Sequence, residues 1–502
     1  MMFLLAGPQQ AHSAAIIRVS GETELLSAIA ASRGGDIIEL APGNYGALRL
    51  KAKQAGWASG PLPLTIRSAG PGHRAVFNAI SLSGVRNLAL DGVAIQYAFA
   101  PGEPPHRPTI TIRDSDGIAI RNALIVGDNA RASGTPADGY ATGIGLVVSE
   151  SRNIEIRDSE IRTWHRGATF GNVDGLVIAG NNLHDMRSDG MDFASVRDVL
   201  IEGNHIHDFR RAPKSGDHAD MIQFWTNGTK SPTRSVRITG NFLDIGNGNG
   251  TQSIFMRNEE VDKGRAGDEM FYGDIAIEGN VIRNAHAHGI TVGETDGLSI
   301  VSNTLVQSVS VKDGGKVSRP SINVKSKARN VDISRNLAPA IGGLSQGTPD
   351  TWTVGGNSLV QRDVPGRADH YRNVFVNAEA PGALTLEDLT VMPDSEAGRA
   401  RTGSPLTRFD TTPSTPRGFI LCRAKSPNAL VQDCDATHVY GPDGPWNMGD
   451  VEVSWSFGDG SSASGQNARH RFAAPGIYTV TATAVSGGRT ATLRRTIQLG
   501  GN

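Results

Sequence analysis

A short phrase recurs down the middle of this chain: two apolar residues separated by one residue, then a turn that closes on Asn. It reads Leu88-Ala89-Leu90, Ile118-Ala119-Ile120 with Asn122, Ile154-Glu155-Ile156, and Leu176-Val177-Ile178 with Asn181. It continues as Val199-Leu200-Ile201 with Asn204, Val236-Arg237-Ile238 with Asn241, and Ile275-Ala276-Ile277 with Asn280, and ends with Leu298-Ser299-Ile300 and Asn303, then Val331-Asp332-Ile333 and Asn336. Copies lie 22 to 39 residues apart, with the shortest spacings at 22 and 23. Fixed periods of this size signal stacked repeats. Short alternating runs broken by Gly and Asn make strands and tight turns. One circuit of about 22 residues is one coil of a parallel β-helix, and longer periods are coils with inserted loops. The recurrent Asn is read as structural on two grounds: tolerance of the left-handed backbone at the turn, and an interior hydrogen-bonded ladder.

Composition excludes several classes. Gly is high at 61, aromatics are only 6%, and the net charge is -1 over 502 residues. A nucleic-acid partner usually needs a basic footprint, which is missing, and no apolar run reaches the length of a membrane span. Phe3-Leu4-Leu5-Ala6 followed by Ser13-Ala14-Ala15 reads as the remnant of an export signal over residues 1–15, without its positive start. Cys422 and Cys434 then read as a disulfide clip, as suits a secreted, periplasmic or cell-surface protein; in the cytosol they would be two free thiols.

The chain divides by composition. Leu25, Leu26 and Ile29 at helical spacing predict a short helix over about Glu22 to Arg33 that caps the open end of the solenoid. The β-helix is expected over residues 16–394 and a linker with the cysteine pair over 395–447. A small antiparallel β-sandwich is expected over 448–500, where Thr479-Val480-Thr481-Ala482-Thr483-Ala484 alternates between turn residues. Trp455-Ser456-Phe457-Gly458-Asp459-Gly460, His470-Arg471-Phe472 and Pro475-Gly476-Ile477-Tyr478 resemble the PKD domain family, an immunoglobulin-like module. That resemblance implies a spacer or adhesion role and no catalysis.

Five segments align as one strand of successive coils: Gly167–Phe170, Gly190–Phe193, Met221–Phe224, Ser253–Met256 and Gly289–Val292. By the period-two rule Thr169, Asp192, Gln223, Phe255 and Thr291 share one face. That face is taken as outward, because Ala168, Met191, Ile222 and Ile290 are apolar. The residue before each strand forms a second column: Arg166, Asp189, Asp220, Gln252 and His288. Titratable groups concentrate here, with coils about 4.8 Å apart. Carboxylates that close either bind a cation or raise one another's pKa. The candidate catalytic residues are Asp189, Asp192, His218, Asp220, His288 and Arg257. Candidate substrate-binding residues are His165, Arg166, Gln223, Trp225 and Lys325, and Asp189, Asp192 and Asp220 are candidate calcium ligands. The loop Arg210-Arg211-Ala212-Pro213-Lys214 adds positive charge suited to an acidic sugar.

Two resemblances bear on this face. Gly35-Asp36-Ile37-Ile38-Glu39-Leu40, Gly43-Asn44-Tyr45 and Leu64-Thr65-Ile66-Arg67 resemble alginate lyases and chondroitinase B, and Ile322-Asn323-Val324-Lys325-Ser326 resembles their Lys-Ser motif. The resemblance implies a pectate lyase-like, right-handed, single-stranded parallel β-helix, with Lys325 as base. Ser318 and Pro320 stand where acidic calcium ligands are expected. Ser188-Asp189-Gly190-Met191-Asp192, His218-Ala219-Asp220-Met221-Ile222 and His288-Gly289-Ile290 are similar to polygalacturonase motifs in the same order, with Ala219 in place of one aspartate.

The expectation is an all-β, monomeric, secreted enzyme that acts on an acidic polysaccharide by β-elimination. His218 or His288 would be the base, and Arg257, Arg166 or calcium would neutralise the uronate. The alternatives are an inverting hydrolase with Asp220 as acid and Asp189 or Asp192 as base, a C5-epimerase, and a non-catalytic polysaccharide-binding surface protein.

Overall fold

The computed structural model describes residues 14–52, 57, 62–70, 72–213, 215–308, 311, 316–342, 347–379, 384–424 and 429–500. Residues 1–13 of the expected export segment and Lys214 of the basic loop lie outside them. Parallel strands stack coil upon coil from Ile16 to Leu359. They form a 22-stranded sheet, which carries two of the three strand columns, and a 12-stranded sheet, which carries the third. The recurring apolar pairs lie in register: Ile154 on Leu176, Leu176 on Val199, Val199 on Val236. Their inward side chains fill one continuous core from Val19 to Trp352. The helix Glu22–Ala31 covers the first coil with Leu25, Ala28 and Ile29 buried; Leu26, expected on the same apolar face, is exposed.

The Asn ladder forms, but the turn works differently from the expectation. Each of Asn181, Asn204, Asn241, Asn280 and Asn303 donates its backbone N–H and its Nδ2 to the Oδ1 of the next Asn at 2.9–3.0 Å. Nδ2 also donates to an inward-lying isoleucine carbonyl, such as Ile201 O from Asn241. In the ladder the left-handed position falls on the residue before each Asn, at Gly180, Gly203, Gly240, Gly279, Ser302 and Arg335, whereas Asn122, outside the ladder, takes the left-handed conformation itself. Asn is therefore the rung of the ladder, and its neighbour makes the bend.

Beyond Leu359 an irregular stretch folds back on the third face. Val360, Tyr371, Val374, Phe375, Leu384 and Leu389 bury Phe242, Val281, Val306 and Leu337. The C-terminal sandwich starts upstream of the expected boundary at 448. Arg417–Arg423 and Val431–Gly441 pair with each other, and the latter pairs with Asn467–Arg471. Cys422 sits opposite Cys434 across the first pair, and the two form a disulfide. The cysteine segment is thus part of the sandwich, because its two strands share the buried core of Trp455, Phe457 and Leu493. No helix among the described residues is long and apolar enough to cross a membrane.

Candidate active site

The register joins Thr169 to Asp192, Asp192 to Gln223, Gln223 to Phe255 and Phe255 to Thr291, as period two requires, and extends the column to Asn323. Residues on either side point inward. Phe170, Phe193 and Phe224 stack beneath the face with ring centroids 5.1 and 4.5 Å apart, which gives the outward groups a stiff floor. Gly190 is needed for close approach: a Cβ there would lie 2.5 Å from the Met221 carbonyl. The coils carrying Asp189 and Asp220 therefore meet directly, and the Asp220 N–H donates to Asp189 Oδ1 at 3.2 Å.

Behind this contact lies a nest of carboxyl groups. Arg166 Nε is 3.0 Å from Asp189 Oδ2 and 3.5 Å from Asp192 Oδ2, and the Ser188 hydroxyl donates to Asp189 Oδ2 at 3.2 Å. Burial, and then the charge of Asp220, pushes Asp189 up to about 7 against the pull of Arg166. Burial and Asp189 raise Asp192 well above the usual carboxylate range, and burial raises Asp220. One oxygen each of Asp192 and Asp220 is buried without a hydrogen-bond partner.

In front of the acids stands a different set. His218 Nδ1 is 2.9 Å from Asp220 Oδ2, and Gln252 Nε2 is 2.6 Å from His218 Nε2. The bond to Asp220 raises the His218 pKa. Side-chain exposure separates the two layers: 3%, 2% and 0% for Asp189, Asp192 and Asp220, against 40%, 63% and 49% for Arg166, His218 and Arg257. A cleft of about 500 Å³ opens over them, lined by His165, Arg166, Asp189, His218, Gln223 and Arg257 among the expected residues.

His288 lies one coil beyond Phe255, its Nδ1 2.8 Å from Thr291 Oγ1 and its ring 5.1 Å from that of Phe255. Burial lowers its pKa. It is not among the cleft-lining residues, nor are Trp225, half-buried past the end of its strand, and Lys325.

Sequence reasoning missed the groups that come from inserted loops. His106 and Glu259 line the cleft. Asp217 accepts two hydrogen bonds from Arg187, at 2.7 and 3.1 Å, and lies 3.3 Å from His165 Nε2. This anchor ties down the loop that delivers His218. Burial lowers His165 to about 4, so its imidazole is neutral at working pH. Asp217 was within reach, being the neighbour of His218 in Gly216-Asp217-His218. His106 carries no periodic signal.

The calcium expectation does not fit this arrangement. Calcium takes about six to eight oxygen ligands, whereas Arg166, Ser188 and His218 already hold these carboxylates. Among the described residues no group of three or more His, Cys, Asp or Glu side chains is placed to hold a metal ion.

A family model described as "right handed beta helix region" matches residues 78–260 and 142–338, and a PKD domain model matches 431–499. Among curated proteins none matches the sequence. Among solved structures, the chain is similar to an alginate lyase from Paenibacillus sp. str. FPU-7, with 14% identity, 62% of this chain and 99% of that chain covered, and a TM-score of 0.37. For pectate lyase Pel9A the values are 13%, 77%, 91% and 0.38. For the catalytic unit of an alpha-1,3-glucanase from Streptomyces thermodiastaticus strain HF3-3 they are 14%, 72%, 70% and 0.30.

Proposed function

The chain belongs to the right-handed β-helix family, and from that premise we propose that it is a secreted, monomeric, polysaccharide-active enzyme, a lyase that cleaves a uronic-acid-containing chain by β-elimination. The observation that carries this reading is the layering of the site. The carboxyl groups of Asp189, Asp192 and Asp220 lie behind, and two guanidinium groups and an imidazole lie in front, with Glu259 and Asp217 also at the cleft wall. Exposed guanidinium groups on either side of an imidazole suit an anionic sugar.

In the proposed reaction the Arg166 guanidinium pairs with the C6 carboxylate of the reacting sugar, which makes the C5 proton removable. Asp220 accepts Nδ1–H of His218, so Nε2 carries the lone pair. Gln252 swings aside, and Nε2 takes the C5 proton. The C4–O4 bond breaks as the C4–C5 double bond forms, and the imidazolium returns its proton to the leaving O4. Asp189 and Asp192 hold Arg166 and touch no substrate. His218 is preferred to His288 as base because it lines the cleft and has a buried carboxylate behind it.

One observation favours hydrolysis instead: Asp189 lines the cleft and keeps its proton up to about pH 7, as a general acid requires. Its seat behind Arg166 speaks against that role. The test is incubation with a panel of acidic polysaccharides, with ultraviolet absorbance and reducing ends followed together. The lyase reading expects both signals to rise in step. Reducing ends without absorbance would replace it with hydrolysis, and neither signal would leave epimerisation or binding alone.

A further inference from the structure

Arg257 and Lys325 come from coils two rungs apart. Arg257 follows the strand Gln252–Met256 and Lys325 follows Ser321–Val324, and the register Phe255 to Thr291 to Asn323 links them. Stacked rungs put their attachment points about 10 Å apart. A single carboxylate spans that gap. Asp262, on the short helix Glu259–Asp262 inserted after the strand, accepts from Arg257 Nε at 3.0 Å through Oδ2, and its Oδ1 lies 3.5 Å from Lys325 Nζ. The Tyr272 hydroxyl donates to the Arg257 carbonyl at 2.7 Å and fixes the backbone beneath.

Two features give this trio a direction. Arg257 lines the cleft, while Asp262 and Lys325 do not; Asp262 is mostly buried against the guanidinium, and Lys325 pairs with it from the exposed surface outside the cleft. Asp262 takes only Nε, and the outer edge with both terminal nitrogens is the edge that receives a carboxylate side-on with two hydrogen bonds. The ion pairing differs too. Arg166 faces two carboxylates, whereas Arg257 and Lys325 share the single carboxylate of Asp262, with Glu259 of the same short helix lining the cleft beside them.

We propose that Asp262 aims Arg257 into the cleft and that Lys325 balances Asp262, so that Arg257 presents its free guanidinium edge to the bound chain and selects an acidic polysaccharide over a neutral one. This rests on the lyase reading for the reaction but not for the binding. Lys325 is then a positioning residue, in contrast to the role of base implied by the Lys-Ser resemblance.

The test uses the full chain with Lys325→Gln, Lys325→Arg, Asp262→Ala and Asp262→Glu. Calorimetric binding of galacturonate and mannuronate hexasaccharides is compared with that of neutral maltohexaose, alongside kcat and KM on whichever acidic polymer is cleaved. Lys325→Gln and Asp262→Ala are expected to weaken acidic-chain binding and raise KM by about five- to tenfold. They should leave kcat within about twofold and neutral binding unchanged. Lys325→Arg and Asp262→Glu should restore most of the affinity.

A kcat loss of orders of magnitude in Lys325→Gln at constant KM would overturn the proposal and make Lys325 a catalytic group. Tighter acidic binding in Asp262→Ala would overturn it too, by showing Asp262 to be a competitor. So would equal binding of acidic and neutral hexamers by the unaltered protein. If the unaltered protein cleaves nothing yet loses acidic binding in these two variants, the lyase reading fails while this one stands.

Discussion

Two sets of buried polar side chains run between stacked coils of this molecule, and they have opposite electrostatic characters. The Asn ladder from Asn181 to Asn336 is buried, and its amides are neutral and paired rung to rung. The acids Asp189, Asp192 and Asp220, drawn from two neighbouring columns on adjacent coils, are buried as deeply, yet they hold two unpaired oxygens and show raised pKa values. Coil stacking brings both sets into close contact. What separates them is whether the groups satisfy one another. A self-satisfied set stabilises the fold, and an unsatisfied one stores electrostatic cost that a site can use. The two sets should therefore respond oppositely when they are neutralised or cut.

The largest effect expected on stability comes from the ladder. Asn241→Ala removes the acceptor of the Asn204 N–H and the donor to Ile201 O, which leaves both buried and unpaired. Unfolding free energy should fall by about 2–4 kcal/mol, read by denaturant titration, with the activity of the folded fraction unchanged. A loss under about 0.5 kcal/mol would mean the ladder is passive.

Asp189→Asn should act the other way, more weakly and only above acid pH. Folding raises Asp189 from 3.8 to about 7. Between those values the native state therefore binds more protons than the unfolded chain, and stability falls as pH rises. The amide removes this term. The variant should melt above the unaltered protein at pH 8, the gap closing toward pH 4, while turnover drops as Arg166 loses a partner. Equal melting curves at both pH values would contradict the burial argument.

Sequence was informative where chemistry repeats and silent where loops intervene. The face of Thr169, Asp192, Gln223, Phe255 and Thr291 followed from period two alone, since a one-residue slip would turn every one of them inward. The ladder was legible, although the left-handed turn proved to belong to the preceding residue, such as Gly240 or Arg335. The layering was not legible. Asp192 lies on an outward position, but the loop that carries Asp217 and His218 folds over the acids, and sequence period does not encode loop cover. Asp262 was missed for the same reason: its helix is an insertion, and only the fold brings it between Arg257 and Lys325. The sandwich boundary was placed late because the cysteine segment lacks clean alternation, though its strands pair with the rest.

The central claim is that the exposed imidazole of His218, seated on buried Asp220, removes the proton that starts the reaction. The most direct measurement is mass analysis of the products formed from an acidic polysaccharide in oxygen-18-labelled water, with the unaltered protein and with His218→Ala. The account predicts unsaturated fragments whose masses sum to that of the parent chain, at a rate lowered on the order of 10²–10⁴-fold by the substitution, with the fold intact. Fragments that have gained the elements of water, or an unchanged rate in His218→Ala, would contradict it.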